Sequence, residues 1–466
     1  MTSGVLLRRI AARARSAIER SAACVNYSLF LVMALAVIAT PASGQALPSG
    51  VTWQEKIEVA AGGGFQGPWR MNRSEYDYVD DPTVDINDAG FVGVAWVDQS
   101  RQDVFFQSFD PSGKKRLAEP VNVSRSPTVF SWLPRLRIAA GDASKVFILW
   151  QEIVFSGGSH GGEIFFARSS DGGKTFATPK NLSNSVNGDG KGRLTARYWD
   201  NGSLDLVMGP DGSLYAAWTE YDGALWFSRS TDLGDTFSDP LRVAGNNDVD
   251  PARGPSLAIG MAGAVYLAWT IGEDKAANIR VAKSIDHGRS FSEPRIAFES
   301  DGHADAPKIA VDGEGTVHLV YGESPAGPFE RYHIRYHRSN DGGRTFEAPR
   351  EISAPQSEQF KSAGYPALSL DGEDTLYIVW ELFPGRRTYP RGLGFVHSND
   401  RGTTFASPSV IPGSADTALG VNGSRQGLLM RKLAVNGAGA IAVVNSTFKK
   451  SEASHIWLFR GRPTGG

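Results

Sequence analysis

Cysteine, excess positive charge and helical periodicity are what this sequence most clearly lacks. The chain of 466 residues has a single cysteine, Cys24, so it can form neither an internal disulfide nor a thiolate zinc site. Its 48 Lys and Arg against 50 Asp and Glu give a net charge of −2, which provides no positive field for nucleic acid. A hydrophobic content of 41% excludes a disordered chain. No long segment repeats its apolar residues with the period of a helix, which excludes a helical solenoid.

The first 44 residues have the organisation of a secretory signal. Several arginines precede one apolar run, residues 29–39, and the small residues Ala42 and Gly44 follow it. The run is short for a membrane span, which needs roughly 20 apolar residues. We therefore predict a signal peptide over 1–44, a mature domain over 45–466 and a secreted or periplasmic location. An uncleaved N-terminal anchor is the alternative.

A strand pattern recurs along the whole mature chain. Each copy has a Gly/Asp turn followed by three residues spaced by two, which places their side chains on one face of a strand. The copies recur every 51 to 68 residues, a spacing typical of the four-stranded blades of a β-propeller. The last residues of the triplets are Trp96, Trp150, Trp218, Trp269, Tyr321, Trp380 and, in a weaker copy, Asn445.

A second motif, Ser-x-Asp-x-Gly-x-Thr/Ser-Phe, recurs in register with the first. A short Asp side chain accepts backbone N–H groups inside its own turn, glycine supplies an unusual φ, and Phe anchors the turn between strands. A catalytic role repeated around one protein makes little sense, so we predict a structural role for these aspartates. They are Asp171, Asp232, Asp286, Asp341 and Asp400.

This motif resembles the Asp-box, or bacterial neuraminidase repeat, of sialidase-like β-propellers. The resemblance covers almost all of residues 80–460 and implies that each motif is the turn between the third and fourth strands of a blade. It predicts an all-β fold with one propeller domain. Seven units indicate seven four-stranded blades, and six, the usual number in sialidases, is the alternative.

The seventh unit stops after its third strand. The segment Trp53–Val59 reads as a strand and belongs to no first unit. A propeller must join its first and last blades or leave open sheet edges. We therefore predict that this N-terminal strand closes the last blade.

The strand order predicts that one face of the ring collects polar side chains. This face carries the residues just after each second strand and those just before each first strand. It also carries the loops 151–163, 183–203, 322–333 and 381–393. By analogy with other propellers, we expect a ligand here, near the axis. The candidate ligand-binding residues are Arg135, Glu152, Arg253, His303, Asp305, Glu323 and Arg425, and the candidate catalytic residues are Glu220, Tyr365 and Glu381. Alternatively, each of these residues could bind no ligand and be a hydrated polar group at the rim of the propeller.

The sialidase resemblance implies a particular chemistry for this face. That family binds the substrate carboxylate with three arginines and uses a Tyr–Glu pair as nucleophile with an Asp acid/base. Arg135, Arg253 and Arg425 could form the triad by position, but the Arg-Ile-Pro that marks the family is absent. Tyr365-Pro366-Ala367-Leu368 occupies the matching place in its repeat without the arginine.

Three functions remain open from the sequence. The leading hypothesis is a glycoside hydrolase acting on a terminal, acidic sugar. The alternative is a non-catalytic propeller that binds glycans or proteins, and the third is a polysaccharide lyase in which Tyr or His is the base and Arg neutralises a uronate. No residue pattern indicates a metal or cofactor, and we expect a monomer that does not remain inserted in a membrane after signal cleavage.

Overall fold

The fold is that of a seven-bladed β-propeller. The computed structural model describes residues 50–67, 75–125, 130–156, 159–184, 203–220, 223–245, 250–272, 277–328, 330–353, 359–385, 388–422 and 431–464. Seven antiparallel sheets are arranged as blades around a central axis. The predicted signal peptide and Arg425 lie outside the described residues.

Six blades have four strands each, in sequential order from the axis outwards. The strands of blades 1 to 3 are β3 (Val79–Ile86), β4 (Val92–Asp98), β5 (Asp103–Phe109), β6 (Val121–Asn122), β7 (Phe130–Ala139), β8 (Asp142–Ser156), β9 (Ser159–Ser169), β10 (Lys180–Asn181), β11 (Leu204–Met208), β12 (Leu214–Thr219), β13 (Leu225–Ser230) and β14 (Leu241–Ala244).

Blades 4 to 6 repeat this arrangement, and two short 3-10 helices, Met261–Gly263 and Thr417–Leu419, lie in connections. Their strands are β15 (Ala252–Ile259), β16 (Val265–Ile271), β17 (Asn278–Ser284), β18 (Arg295–Phe298), β19 (His303–Val311), β20 (Val317–Ser324), β21 (His333–Ser339), β22 (Arg350–Glu351), β23 (Ser362–Leu370), β24 (Leu376–Phe383), β25 (Leu393–Ser398) and β26 (Ser409–Val410).

Blade 7 is assembled from both ends of the domain, as the sequence predicts. Its C-terminal strands are β27 (Val421–Asn422), β28 (Leu433–Val435), β29 (Ile441–Lys449) and β30 (Ala453–Pro463), and its N-terminal strands are β1 (Val51–Trp53) and β2 (Ile57–Gly62). Both β1 and β2 pair with β30, while β27 and β28 pair with β29. The closing segment is therefore divided into two short strands.

Apolar side chains fill the space between blades. The aromatic residues that end the second strands are the largest buried groups, and Trp150, Trp218, Trp269 and Trp380 are all at most 1% exposed. Trp150 stacks on Phe165 of its own blade, with ring centroids 6.2 Å apart. Because each sheet buries both faces against its neighbours, every blade depends on the next one for its core.

Hydrogen bonds also link neighbouring inner strands. Asp85 in blade 1 accepts the Ile138 N–H of blade 2 at 2.7 Å. Asp205 in blade 3 accepts the Leu257 N–H of blade 4 at 2.9 Å. These carboxylates fix the spacing of the inner strands, and with it the positions of the side chains near the axis.

The five repeated aspartates share one turn geometry. In blade 3, Asp232 accepts the backbone N–H of Thr236 at 2.9 Å and its hydroxyl at 2.6 Å, while Gly234 N–H donates to Ser230 Oγ. Gly234 has a φ of 81°, and a Cβ there would lie 2.5 Å from Phe166 Cζ of the preceding blade. Glycine is therefore required both by the turn and by the packing between blades.

One predicted loop consists largely of extended strands instead. The described residues 151–156 and 159–163 continue the pairing of β8 with β9, from Gln151 opposite Ile164 to Ser156 opposite Ser159. The segment Ile153-Val154-Phe155 consists of residues with high β propensity, which favours extension of the strands over a loop.

We predict that removal of the closing strands destabilises the whole ring. Val59 is 2% exposed and packs in the cluster that contains Val444, Ile456 and Leu458. A protein that begins at residue 61 should melt more than about 5 °C below one that begins at residue 50, or be insoluble, because an apolar sheet edge is left open. Equal melting temperatures by calorimetry would contradict this closure.

We also predict a contribution of the repeated turns to stability that depends on pH. Hydrogen bonds from Thr236 lower the pKa of Asp232 from 3.8 to about 2. A lowered folded-state pKa stabilises the fold above the unfolded-state pKa, and this stability is lost as the pH falls towards about 2. Asp232→Asn should lower the free energy of unfolding at pH 7 and have little effect below pH ~2. Asp239→Asn, a substitution at an exposed position in the same blade, is the control. If Asp232→Asn destabilised the protein equally at every pH, the prediction would be contradicted.

Candidate functional site

A β-bulge recurs at one position of the inner strands of five blades. The register between the first and second strands shifts there, and the residue at the shift has a positive φ and precedes a proline. Bulges re-aim side chains, and backbone strain at non-glycine residues is common at functional sites. These residues, with φ between 51° and 60°, are Asp81, Leu133, Gly254, Ala306 and Tyr365.

Arg253 joins blades 4 and 5 beside two of these bulges. Its Nε donates to Gly272 O at 2.7 Å, Nη1 donates to Asp305 Oδ2 at 3.3 Å, and Nη2 lies 3.1 Å from His303 Nε2. These contacts use three of the five N–H donors of a guanidinium, so two have no assigned acceptor within the described residues. The side chain is 24% exposed. Arg253 can therefore donate hydrogen bonds to a ligand carboxylate.

The contact with Arg253 determines the tautomer of His303. Arginine can only donate, so His303 Nε2 is the acceptor and the ring proton is on Nδ1. His303 Nδ1 lies 2.9 Å from Tyr332 Oη. His303 therefore donates a hydrogen bond to the phenol oxygen of Tyr332, and a guanidinium, an imidazole and a phenol form one chain.

Asp305 is the carboxylate of this group. Burial alone would raise its pKa, but the Arg253 guanidinium and the N–H of Ala306 outweigh burial and hold the pKa below its usual value. Its Oδ1 also accepts the hydroxyl of Thr270 at 3.2 Å. Asp305 is therefore ionised and orients Arg253. We refer to Arg253, Thr270, His303, Asp305 and Tyr332 as the blade 4–5 cluster.

Blade 6 holds the backbone of Tyr332 in place. The N–H of Tyr332 donates to Ser362 Oγ at 2.9 Å, and Ala363 N–H donates to Tyr332 O at 2.9 Å. A Cβ on Gly322 would lie 3.5 Å from Tyr332 Cδ1 and 4.0 Å from Gly364 Cα. The candidate catalytic residue Tyr365 follows directly on this strand, and its ring lies 6.2 Å from that of Phe383.

Glu220 lies in the tight turn that follows β12. Its N–H donates to Ala224 O at 2.8 Å, and Gly223 N–H donates back to Glu220 O at 2.9 Å. Gly223 O accepts the N–H of Ala252, the residue before Arg253. The turn of Glu220 thus borders the blade 4–5 cluster on the side of blade 3.

Arg135 lies on β7, the inner strand of blade 2. It is 2% exposed, and its Nη1 donates to Pro134 O at 3.1 Å. Burial lowers its pKa to about 10, against the opposing effect of Asp205 and Asp81. The predicted triad of Arg135, Arg253 and Arg425 therefore has one member in blade 2, one in blade 4 and one outside the described residues.

Three predicted carboxylates are engaged in separate blades. Glu152 is buried and accepts Ser131 Oγ at 2.6 Å and Trp150 Nε1 at 2.7 Å. Glu323 accepts Arg335 Nε at 2.8 Å on the third strand of blade 5.

Glu381 is the third of these carboxylates. It is fully buried, ion-pairs with Lys432 and accepts Asn422 Nδ2 at 2.7 Å. In this geometry Glu381 joins blade 6 to blade 7.

Tyr332 was not singled out from the sequence. It lies at the end of the predicted loop 322–333, next to β21, and no spacing ties it to His303, 29 residues earlier. The only sequence signal was its place in a long loop on the polar face. Among the described residues, no group of three His, Cys, Asp or Glu is arranged to hold a metal ion, and no helix is long and apolar enough to cross a membrane.

Comparison with known proteins identifies relatives by fold alone. No protein-family model and no curated protein matches the sequence. A Dyadobacter fermentans protein of unknown function is 13% identical with a TM-score of 0.50, over 90% of this chain and all of that one. A polysaccharide lyase, an ulvan lyase bound to -[GlcA(1-4)Rha3S]-, is 13% identical with a TM-score of 0.53, over 86% of this chain and 95% of that one. A Hadza microbial sialidase is 14% identical with a TM-score of 0.48, over 81% and 74%.

We predict that Glu381 acts on stability through Lys432. Glu381→Gln leaves a buried ammonium without its partner and should lower the free energy of unfolding by about 3 kcal/mol. The double variant Glu381→Gln/Lys432→Met removes both charges and should recover much of this loss in denaturant unfolding. If the double variant were as unstable as the single one, the ion pair would not be the cause.

Proposed function

We propose that this protein is an exported carbohydrate-active propeller that cleaves a uronate-containing polysaccharide by β-elimination at the blade 4–5 cluster. The observation that carries the proposal is the hydrogen-bonded chain from Arg253 through His303 to Tyr332. The N-terminal sequence of signal type supports export. Of the three functions left open by the sequence, this is the one for which the described side chains supply each chemical role.

Arg253 would neutralise the uronate carboxylate. The two N–H groups without an assigned acceptor match the two oxygens of a carboxylate, and such charge-assisted contacts are among the strongest hydrogen bonds in proteins. Neutralisation makes the neighbouring C5–H bond of the uronate more acidic. Asp305 and Gly272 O hold the guanidinium in place for this contact.

Tyr332 and His303 would manage the proton. As phenolate, Tyr332 takes the proton from C5, the electron pair forms the C4=C5 double bond, and the C4–O bond breaks. The proton on Tyr332 then passes to the departing glycosidic oxygen, so Tyr332 serves as base and acid in turn. The Nδ1–H of His303 stabilises negative charge on the phenol oxygen throughout.

Hydrolysis is less well supported by the described side chains. Most glycoside hydrolases need two carboxylates flanking one bond, as general acid and as base or nucleophile. Asp305 is engaged by Arg253, Glu381 is buried against Lys432, and Glu323 is paired with Arg335. The similarity in fold to an ulvan lyase that binds a glucuronate-containing disaccharide also supports elimination.

The test is turnover by purified mature protein on a panel of uronate-containing polysaccharides. We expect a product with ultraviolet absorbance from the new double bond. Tyr332→Phe should lower kcat by at least about 100-fold, the usual contribution of a positioned proton-transfer group. Tyr266→Phe, which removes a phenol hydroxyl on the opposite face of the propeller, should leave kcat unchanged.

Two results would contradict elimination. New reducing ends without ultraviolet absorbance would indicate a hydrolase, for which Glu220→Gln and Tyr365→Phe should abolish activity. Saturable glycan binding without any product would indicate a binding protein. Either result would remove Tyr332 from the proposed role.

A further inference from the structure

Tyr365 has a backbone conformation that is costly for a residue of its size. Its φ of 53° lies in the left-handed region, which bulky residues rarely adopt. Leu133 has the same conformation at the bulge of blade 2, but it is 3% exposed, so burial of its side chain in the core offsets the cost. Tyr365 is only partly buried. Because backbone strain is common at sites that clamp a ligand, Tyr365 is a candidate for contact with one.

Phe383 provides a second aromatic ring beside Tyr365. The two ring centroids are 6.2 Å apart, and the ring planes are inclined by 45°. Phe383 is the last residue of β24 and the one residue of that strand that is partly exposed. The two rings therefore form an aromatic surface where the second strand of blade 6 ends. We refer to Tyr365 and Phe383 as the blade 6 platform.

The blade 6 platform lies on the side of blade 6 that faces blade 5. Phe383 is opposite Ser362 in the strand register, so their side chains share one face of the sheet. Ser362 Oγ accepts the N–H of Tyr332 at 2.9 Å and donates to Tyr332 O at 3.3 Å, which shows that this face is turned towards blade 5. The ring of Phe383 is therefore on the same side of blade 6 as Tyr332.

Two glycines leave space between Tyr332 and the blade 6 platform. A Cβ on Gly322 would lie 3.5 Å from Tyr332 Cδ1 and 4.0 Å from Gly364 Cα, so the phenol ring and Gly364 border one gap. Apart from its two neighbours in the chain, a Cβ on Gly364 would meet only Phe383 Cε2 among the described residues, at 3.4 Å. A side chain at either glycine would narrow the gap.

An aromatic surface next to a carboxylate-binding group suits a saccharide chain. One face of a pyranose ring presents C–H groups and packs on an aromatic ring, while its hydroxyl groups point outwards to water. Arg253 in blade 4, Tyr332 in blade 5 and the platform in blade 6 follow one another around the ring. A saccharide that lies across these blades brings one sugar to Arg253 and another to the platform.

We propose that the blade 6 platform binds the sugar next to the uronate, by stacking the apolar face of its pyranose ring on Tyr365 and Phe383. The inference rests on the proposed function and extends it, because the substrate must then span at least two sugars. In this role Tyr365 acts through its aromatic ring and transfers no proton. The role therefore differs from the catalytic one for which the sequence made Tyr365 a candidate.

The test is steady-state kinetics on the uronate-containing polysaccharide that the wild type cleaves fastest. Tyr365→Leu should raise KM at least about tenfold and leave kcat within about twofold, because the lost contact is made equally in the ground and transition states. Tyr365→Phe keeps the ring and should behave like the wild type. Phe65→Leu removes a 48% exposed ring beside blade 7 and is the matched control, with an unchanged KM.

A second variant protects the test against misfolding. Leu133 already adopts the bulge conformation in blade 2, so we expect Tyr365→Leu to fold. If it does not, Phe383→Leu should give the same rise in KM. If the wild type binds a saccharide of the panel without turnover, the same variants are compared by calorimetric titration, and a tenfold loss of affinity is expected in place of the rise in KM.

Failure of the platform and failure of the proposed function give different results. An unchanged KM in folded Tyr365→Leu would overturn the platform and leave elimination at Tyr332 intact. A loss of kcat in Tyr365→Phe would assign a role to the hydroxyl group and would also overturn the platform. A raised KM in Tyr365→Leu with hydrolytic products would support the platform and contradict elimination. Absence of both turnover and saturable binding with every saccharide of the panel would overturn both.

Discussion

The burial of both faces of every sheet is the constraint on which this structure depends. A blade with two apolar faces cannot stand alone in water, so each one requires a neighbour on either side, and only a closed ring satisfies all seven. The pairing of β1 and β2 with β30 closes that ring without a disulfide. Hydrogen bonds between inner strands, such as that from Ile138 N–H to Asp85, then set the distances around the axis.

The same closure explains why polar chemistry is concentrated at the axis. Inner strands converge there, and the bulges before their prolines turn side chains away from the apolar layers between blades. Arg253, His303 and Asp305 come from two adjacent inner strands and lie beside two such bulges. A rigid ring can hold these charged and strained positions because the stability of the large core offsets their free-energy cost.

The fold was accessible from the sequence because its signals are periodic. The triplets ending in Trp and the Asp turns recur at regular spacing, and the segment Trp53–Val59 is a strand that belongs to no first unit. Together these features predict seven blades and their closure. The site was only partly accessible. Arg253, His303 and Asp305 were found from their positions before first strands, but Tyr332 joins them through a loop, and no local rule fixes where a loop places a side chain. Glu152 and Glu381 were expected to leave the second strands onto the same face, but they lie inside β8 and β24 and are buried, because the length of a strand and its exposure depend on packing across blades.

A crystal structure of the Tyr332→Phe variant with a uronate-containing oligosaccharide would test the central claim most directly. The account predicts a carboxylate bound by Arg253 Nη1 and Nη2, with the C5–H of the same sugar directed at the phenyl ring that replaces the phenol. A saccharide bound elsewhere on the ring, or bound at the blade 4–5 cluster with its carboxylate turned away from Arg253, would contradict it.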